Sequence, residues 1–246
     1  MKDLFSTQAE TYARYRPTYP PELYDFVLGQ VSGREAAWDC ATGNGQVALE
    51  LAKQFDRVEA TDLSEKQLEQ AVRRENIHYQ VAKAENTPFS EQSFDLITVG
   101  QALHWLNPES FHREVARVLK PGGVLAVWGY ELMSLTPQID ERVLHFYRNI
   151  IGSYWNPERR LLEERYASVP FPYREIACPD FQMVKRWTLD ELAGYLNSWS
   201  SVNKFQRQHG YSPVGDFIEG LRPYWPGEQA LTVTFPVFMR LGFKEV

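Results

Sequence analysis

The chain is poor in cysteine, with only Cys40 and Cys178 among 246 residues. Neither their density nor their spacing suits a disulfide framework or a zinc site, so both are expected as reduced, buried thiols. An excess of positive charge is missing as well. Lysine and arginine number 26 against 32 aspartate and glutamate, a formal charge of −6, which offers nucleic acid no long-range attraction. Long apolar runs are also lacking. No segment approaches the roughly 20 apolar residues that a membrane span needs, and the opening Met1-Lys2-Asp3-Leu4-Phe5-Ser6 is not the basic-then-apolar order of an export signal. The expectation is a cytoplasmic protein with neither membrane nor nucleic acid as partner. What is present is ordinary for a folded chain, 43% hydrophobic and 24% charged residues, in a length that allows one large domain or a domain with a cap.

From Glu35 to Tyr130 short apolar runs alternate with helical periodicity, the pattern of parallel strands joined by crossover helices. The expected strands are 36–40, 57–62, 77–82, 94–99 and 124–128. Helices are expected at 47–52, from a cap at Ser64 to about Arg74, and over 108–119, the last stopped by Pro121-Gly122-Gly123. After Tyr130 the rhythm changes to helical stretches broken by prolines, with no strand expected before Phe181. Residues 130–235 hold 18 of the chain's 34 aromatic residues, which fits either a pocket lid or a small aromatic core. Strands at 181–187 and 231–239 can close the sheet, Pro236 requiring a bulge or an exposed side. Between them Thr188 and Glu191 have the spacing of a capping box.

The stretch Trp38-Asp39-Cys40-Ala41-Thr42-Gly43-Asn44-Gly45-Gln46-Val47-Ala48 carries the chemistry. A glycine-bearing turn between strand and helix lets a ligand approach backbone that side chains would block. Gly43 to Ala48 matches the dinucleotide fingerprint literally, with Asp62 at a suitable distance beyond. Asp39, four residues before Gly43, separates the candidates. A carboxylate beside a pyrophosphate is repulsive, whereas S-adenosylmethionine brings an ammonium and a sulfonium and no phosphate.

With these motifs in place, the chain resembles the class I S-adenosylmethionine-dependent methyltransferases, in particular the small-molecule branch with the trans-aconitate methyltransferase-like enzymes. Asp39 to Gly45 looks like the family's first motif, with Ala41 where the first glycine usually stands. Asp62, ending the second strand, matches the acidic residue that accepts the ribose hydroxyls, with Leu63 beside the adenine. Ala84-Glu85-Asn86-Thr87-Pro88-Phe89 resembles the adenine-reading segment, so Ala84 and Glu85 are implied near the exocyclic amine. Gln101-Ala102-Leu103-His104-Trp105 and Arg117-Val118-Leu119-Lys120-Pro121-Gly122-Gly123 stand in family positions around the fourth and fifth strands. The resemblance implies a Rossmann-like α/β fold: a mostly parallel seven-stranded sheet, helices on both faces and a helical cap insertion. It divides the chain into an N-terminal helical arm or lid (1–34), a cofactor-binding core (35–130), a cap insertion (131–180), and the remaining cap helices with the closing strands (181–246). The cofactor is S-adenosyl-L-methionine, leaving S-adenosyl-L-homocysteine.

Within the arm, Tyr12 and Tyr15 or Arg16 share a helical face. Tyr12 and Arg16 are candidates for the cofactor, Arg16 because a guanidinium pairs both oxygens of a carboxylate. Tyr15 and Tyr19 are candidates for the methyl site, where Trp105, Trp128 and Tyr130 join them; Gln101 joins the cofactor set of Asp39, Ala41, Gly43, Gly45, Asp62, Leu63, Ala84 and Glu85. His104 is the candidate general base, since an unperturbed imidazole titrates near neutrality, although a histidine between Leu103 and Trp105 also fits a structural role. Asp62 equally fits a cap for the helix after it. No acidic or histidine cluster points to a metal. The reaction read from this set is methyl transfer by in-line displacement to a small molecule, with a carboxylic acid as the candidate acceptor. Arg14, Arg16, Arg186 and Arg207 are the cations available to hold it. The alternatives are a non-catalytic S-adenosylmethionine-binding protein and an NAD-linked oxidoreductase; the oligomeric state is open.

Overall fold

The computed structural model describes residues 17–245; Tyr12, Tyr15 and Arg16 of the expected arm lie outside them. Eight strands form one sheet: β1 (Ala36–Cys40), β2 (Arg57–Asp62), β3 (Ile77–Val81), β4 (Phe94–Gly100), β5 (Leu119–Tyr130), β6 (Arg174–Ile176), β7 (Phe181–Trp187) and β8 (Leu231–Phe243). Their order is β3-β2-β1-β4-β5-β8-β6, with β7 also on β8. β1 to β5 run parallel, and β8 runs antiparallel to β5, β6 and β7. The eighth strand beyond the expected seven arises because β8 is 13 residues long, so β7 pairs with its first half and β6 with its end. At three residues, β6 is too short to show a period in sequence.

Side chains alternate across the sheet, as the pleat requires. Ala37, Val58, Leu96, Ala126 and Trp128 face one apolar cluster, while Trp38, Cys40, Ile97, Val99, Leu125 and Val127 face the other. The first face is covered by helix α1 (Pro21–Gly29), opened by Pro21 at its first position, and by α2 (Gln46–Leu51). The opposite face is covered by Phe111, Val115 and Val118 of α4 (Pro108–Val118); α3 (Glu65–Glu69) follows β2 at the sheet's edge. α3 stops well before the expected Arg74, since Val72 to Glu75 are all exposed and offer no apolar stripe to bury. α4 ends at Val118, not at the proline: Leu119 already pairs with Phe94, and Pro121-Gly122-Gly123 forms the irregularity before pairing resumes at Leu96↔Val124. Both cysteines are free, Cys40 buried and Cys178 half-buried.

Two segments build the cap. The first, after β5, contains α5 (Pro137–His145), a π-helical turn at Phe146–Ile150 and α6 (Arg159–Glu163). The second, between β7 and β8, contains α7 (Leu189–Asn197), α8 (Ser200–His209) and α9 (Val214–Leu221). Ile139, Val143, Leu192, Leu196, Ile218 and Leu221 of these helices join the cluster that holds α1 and the β5/β8 face, so the cap shares its core with the sheet. Pro236 sits where the β5–β8 pairing shifts. From Tyr130 to Ser134 the chain advances four residues while its partner advances three, from Val237 to Thr234, and the carbonyl of Pro236 accepts the Glu131 N–H at 2.9 Å.

Thr188 starts α7 with a complete capping box: its hydroxyl accepts the Glu191 N–H at 3.3 Å, and the Glu191 carboxylate accepts the Thr188 N–H at 2.8 Å. Thr188→Ala should destabilise the protein by about 1 kcal/mol, read as a lowered urea midpoint at unchanged slope.

Candidate active site

The strand order reverses between β1 and β4, and in such sheets the crevice beyond the carboxyl ends of the strands at that point is where ligands enter. A cavity lies there, lined by Tyr19, Asp39, Gly43, Asn44, Gln101 and Tyr130 among others. Its floor is the loop after β1. Asp39, 1% exposed, accepts the Thr98 hydroxyl of β4 at 2.9 Å on one oxygen. The other oxygen takes the Thr42 hydroxyl and, at 3.1 Å, the N–H of Ala48 in α2. Its carboxylate therefore holds the loop, the helix and the neighbouring strand together, with both oxygens already occupied by protein donors. Asp62 works from the next strand, accepting Gly43 N–H at 2.9 Å and Ser64 N–H at 2.8 Å. The helix after β2 is capped by Ser64, whose hydroxyl accepts the Gln67 N–H, so Asp62 holds the loop and is not the cap expected from sequence.

Three successive odd positions of this loop are left-handed: Ala41 at φ 55°, Gly43 at 57° and Gly45 at 81°. A Cβ on Gly43 would meet nothing within 4 Å, so the backbone lies open to the cavity; one on Gly45 would strike the Tyr79 hydroxyl at 2.4 Å. Ala41 replaces a glycine where conformation, more than space, calls for one. At the end of β4, Gln101 is also left-handed, at φ 57°. Its side-chain amide accepts Tyr130 N–H at 2.7 Å and donates to Tyr130 O at 3.4 Å, fixing the end of β5 against the end of β4. The described lining of the cavity contains no lysine or arginine, so among the described residues a pyrophosphate would meet Asp39 with no cation beside it. An open glycine backbone flanked by carboxylates fits S-adenosylmethionine, whose amino acid end carries an ammonium.

A second chamber adjoins the first and shares Gln101 and Tyr130 with it. Trp105, Trp155, Tyr195 and Trp199 give it an aromatic wall, with His104 and Arg159 as its basic groups. His104 is 5% exposed, and its Nδ1 lies 3.0 Å from the Tyr166 hydroxyl. Burial, helped by the Arg159 charge, pushes its pKa down to about 3, which leaves the imidazole neutral and a weak base at neutral pH. A buried, neutral imidazole bonded to Tyr166 fits the structural role, the other reading of this histidine. Trp128 has no exposed surface and packs edge-on behind Tyr19 at 5.5 Å, backing the wall instead of lining it. Leu63 is half-buried after Asp62, Ala84 is buried, and Glu85 accepts the Asn107 N–H at 3.1 Å. Of the expected cations, Arg186 binds the Ala230 carbonyl and Arg207 is exposed on α8, while Arg14 lies outside the described residues. Trp155, Tyr195 and Trp199 entered the sequence reading only through the aromatic enrichment after Tyr130, and Arg159 not at all. A larger cavity of about 670 Å³ between α5, α8 and α9 shares no lining residue with either chamber.

Two consequences are measurable. Ala41→Gly relieves about 1–2 kcal/mol of left-handed strain against about 0.5–1 kcal/mol of added chain entropy, so the urea midpoint should rise slightly or hold, and a fall would contradict the strain. Burial raises the Asp39 pKa from 3.8 to about 7. Between these values the folded chain binds more protons than the unfolded one, so the Asp39 contribution is full below pH 4 and is lost as pH rises through 7. Urea unfolding from pH 4 to 8 should show this decline in the parent and a flatter profile in Asp39→Asn.

A family model described as a methyltransferase domain matches residues 38–127. A protein of Dictyostelium discoideum described as a methyltransferase is 32% identical, covering 99% of this chain and 95% of its own. A methyltransferase of Aspergillus candidus is 26% identical over 99% of this chain and 82% of its own. A solved structure described as a type II methyltransferase from Anaeromyxobacter dehalogenans is 36% identical and covers 94% of this chain and 99% of its own, with a TM-score of 0.86. A phosphoethanolamine N-methyltransferase of Haemonchus contortus, solved with S-adenosyl-L-methionine, shares the fold at 16% identity and TM-score 0.51, covering 98% of this chain and 57% of its own. The chain belongs to the class I S-adenosylmethionine-dependent methyltransferases, with S-adenosylmethionine as its cofactor.

Proposed function

We propose that the chain methylates a small organic acid held in the aromatic chamber, with the loop after β1 binding the cofactor. The observation that carries this reading is the common wall: Gln101 and Tyr130 line both cavities, so an acceptor in one lies beside a donor in the other. S-adenosylmethionine, when bound, supplies a sulfonium methyl that a nucleophile displaces in line. The chain's own work is to align and to keep dry. Gln101 locks Tyr130 at the junction, and Trp105, Trp155, Tyr195 and Trp199 exclude water; such positioning is worth up to about 7–11 kcal/mol in well-aligned systems.

The chamber favours a carboxylate. An amine or phenol must lose a proton, and a neutral imidazole with a pKa near 3 takes one poorly. Glu131, the carboxylate at the same wall, is engaged by Arg165 at 2.7 Å. A carboxylic acid is already ionised at pH 7 and needs no base. The likeness to trans-aconitate methyltransferase-like enzymes points the same way, and the small inner chamber, about 50 Å³, supports a compact reacting group.

A screen with methyl-labelled cofactor over small acids, amines, phenols and bulk RNA tests the reading. Transfer to acids is expected; transfer confined to RNA would refute the small acceptor, and transfer confined to amines or phenols would refute the acid. With an acid as acceptor, the ratio of kcat/KM between the parent and His104→Gln should stay constant from pH 5.5 to 8, whereas a limb near pH 6.5 present only in the parent would restore His104 as base.

A further inference from the structure

We infer that Arg159 is the residue that selects the acceptor by charge, binding an anionic oxygen group at the junction of the inner chamber with an outer cavity. This rests on the acceptor reading above. The outer cavity measures about 370 Å³ and shares Tyr130, Glu131, Leu132, Arg159 and Leu162 with the inner chamber. The outer cavity is the roomier of the two, about 370 Å³ against about 50 Å³ for the inner chamber. The body of the acceptor therefore occupies the outer cavity, and Arg159 stands where the two meet.

The side chain is built for the task. Its guanidinium carbon lies 4.0 Å from the centroid of Trp155 and 5.2 Å from that of Tyr147, a stacking that fixes the plane and leaves the edge free to bond. Nε donates to the Tyr147 hydroxyl, which in turn donates to Glu163. The Glu163 carboxylate stays 3.9 Å from Nε, short of a hydrogen bond. Among the described residues no acceptor meets the two terminal nitrogens of Arg159, and these are the pair that grips a carboxylate in bidentate fashion. Glu131, the other charge common to both cavities, is offset by Arg165. The junction thus keeps a cation that is paired with Glu163 only on its Nε side, at 3.9 Å, and has its two terminal nitrogens open among the described residues.

The test is calorimetric titration of the protein loaded with S-adenosylhomocysteine, using benzoate, cinnamate and hexanoate, each against its neutral amide. At least one acid should bind ten times or more tighter than its amide. Arg159→Met should remove that preference, and Arg159→Lys, which keeps the charge and loses the fork, should restore part of it. Affinity for S-adenosylhomocysteine should not change in either variant and both should still melt cooperatively, which separates loss of the anion site from loss of folding. An absence of preference for any acid over its amide would overturn the inference, as would a preference that survives in Arg159→Met. If acids bind through Arg159 and none is methylated, the acceptor reading falls and the anion site stands; if neutral amines are methylated with no acid preference, the anion site falls and methyl transfer stands.

Discussion

The site depends on one buried carboxylate. Asp39 gathers the Thr42 hydroxyl, the Ala48 N–H and the Thr98 hydroxyl, and so joins the loop after β1 to α2 and to β4 across the point where strand order reverses. A carboxylate stripped of water is stable only when donors replace its hydration, and here three do. Burial still prevails enough to raise its pKa to about 7. The loop that floors the first cavity is therefore fixed from beneath, by a group whose own oxygens are spent inside the protein. Sequence reasoning put that carboxylate in contact with the ligand's positive end; in the structure its bonds go to the loop, and its charge reaches the cavity through space.

Strain collects at the same place. Ala41 and Gln101 follow β1 and β4, and both take left-handed backbone without being glycine. Such residues cost about 1–3 kcal/mol each and persist where the surroundings over-determine them. For Gln101 the surroundings are visible: its backbone N–H donates to Trp128 O at 2.8 Å, and its amide closes two further bonds to Tyr130. The side chain acts as an extra rung between β4 and β5, set where two strands would otherwise splay. Tyr130 is thereby held as the partition between the two chambers.

The core was legible because its rules are local. Apolar runs, the turn of Gly43 and Gly45, and the capping box at Thr188 each declare themselves within a few residues, and the strands β1 to β4 stand within about one residue of their expected places. What failed to show was anything decided by distant neighbours. β6 exists because β8 is long enough to receive it. Leu119 becomes a strand because Phe94 is there to pair with it. His104 carries the residue type of a base, and only the burial around it, with Tyr166 arriving from beyond α6, reveals an imidazole that stays neutral. Arg159 was hidden for the same reason. Its sequence neighbours, Glu158 and Arg160, describe an exposed charged turn, and the Trp155 and Tyr147 stack that gives it a role forms only when the first cap segment folds back on itself.

The two cavities come from different parts of the chain, and this separates the problems they solve. On the reading proposed above, the cofactor side is made by loops at the ends of β1, β2 and β4, all set by the parallel part of the sheet. On the acceptor side, Trp155 and Arg159 come from the first cap segment, and Tyr195 and Trp199 come from the second. Neither segment encloses a chamber by itself. Their helices share one apolar cluster with β5 and β8, so the chamber closes only when both pack on the sheet. If the acceptor lies there as proposed, changes in size or charge within the cap would retune which acceptor enters at a distance from Asp39, Gly43 and Asp62, which line or border the other cavity. Gln101 and Tyr130 are the exception. They belong to the sheet yet line both cavities, and any substitution there changes donor and acceptor geometry together.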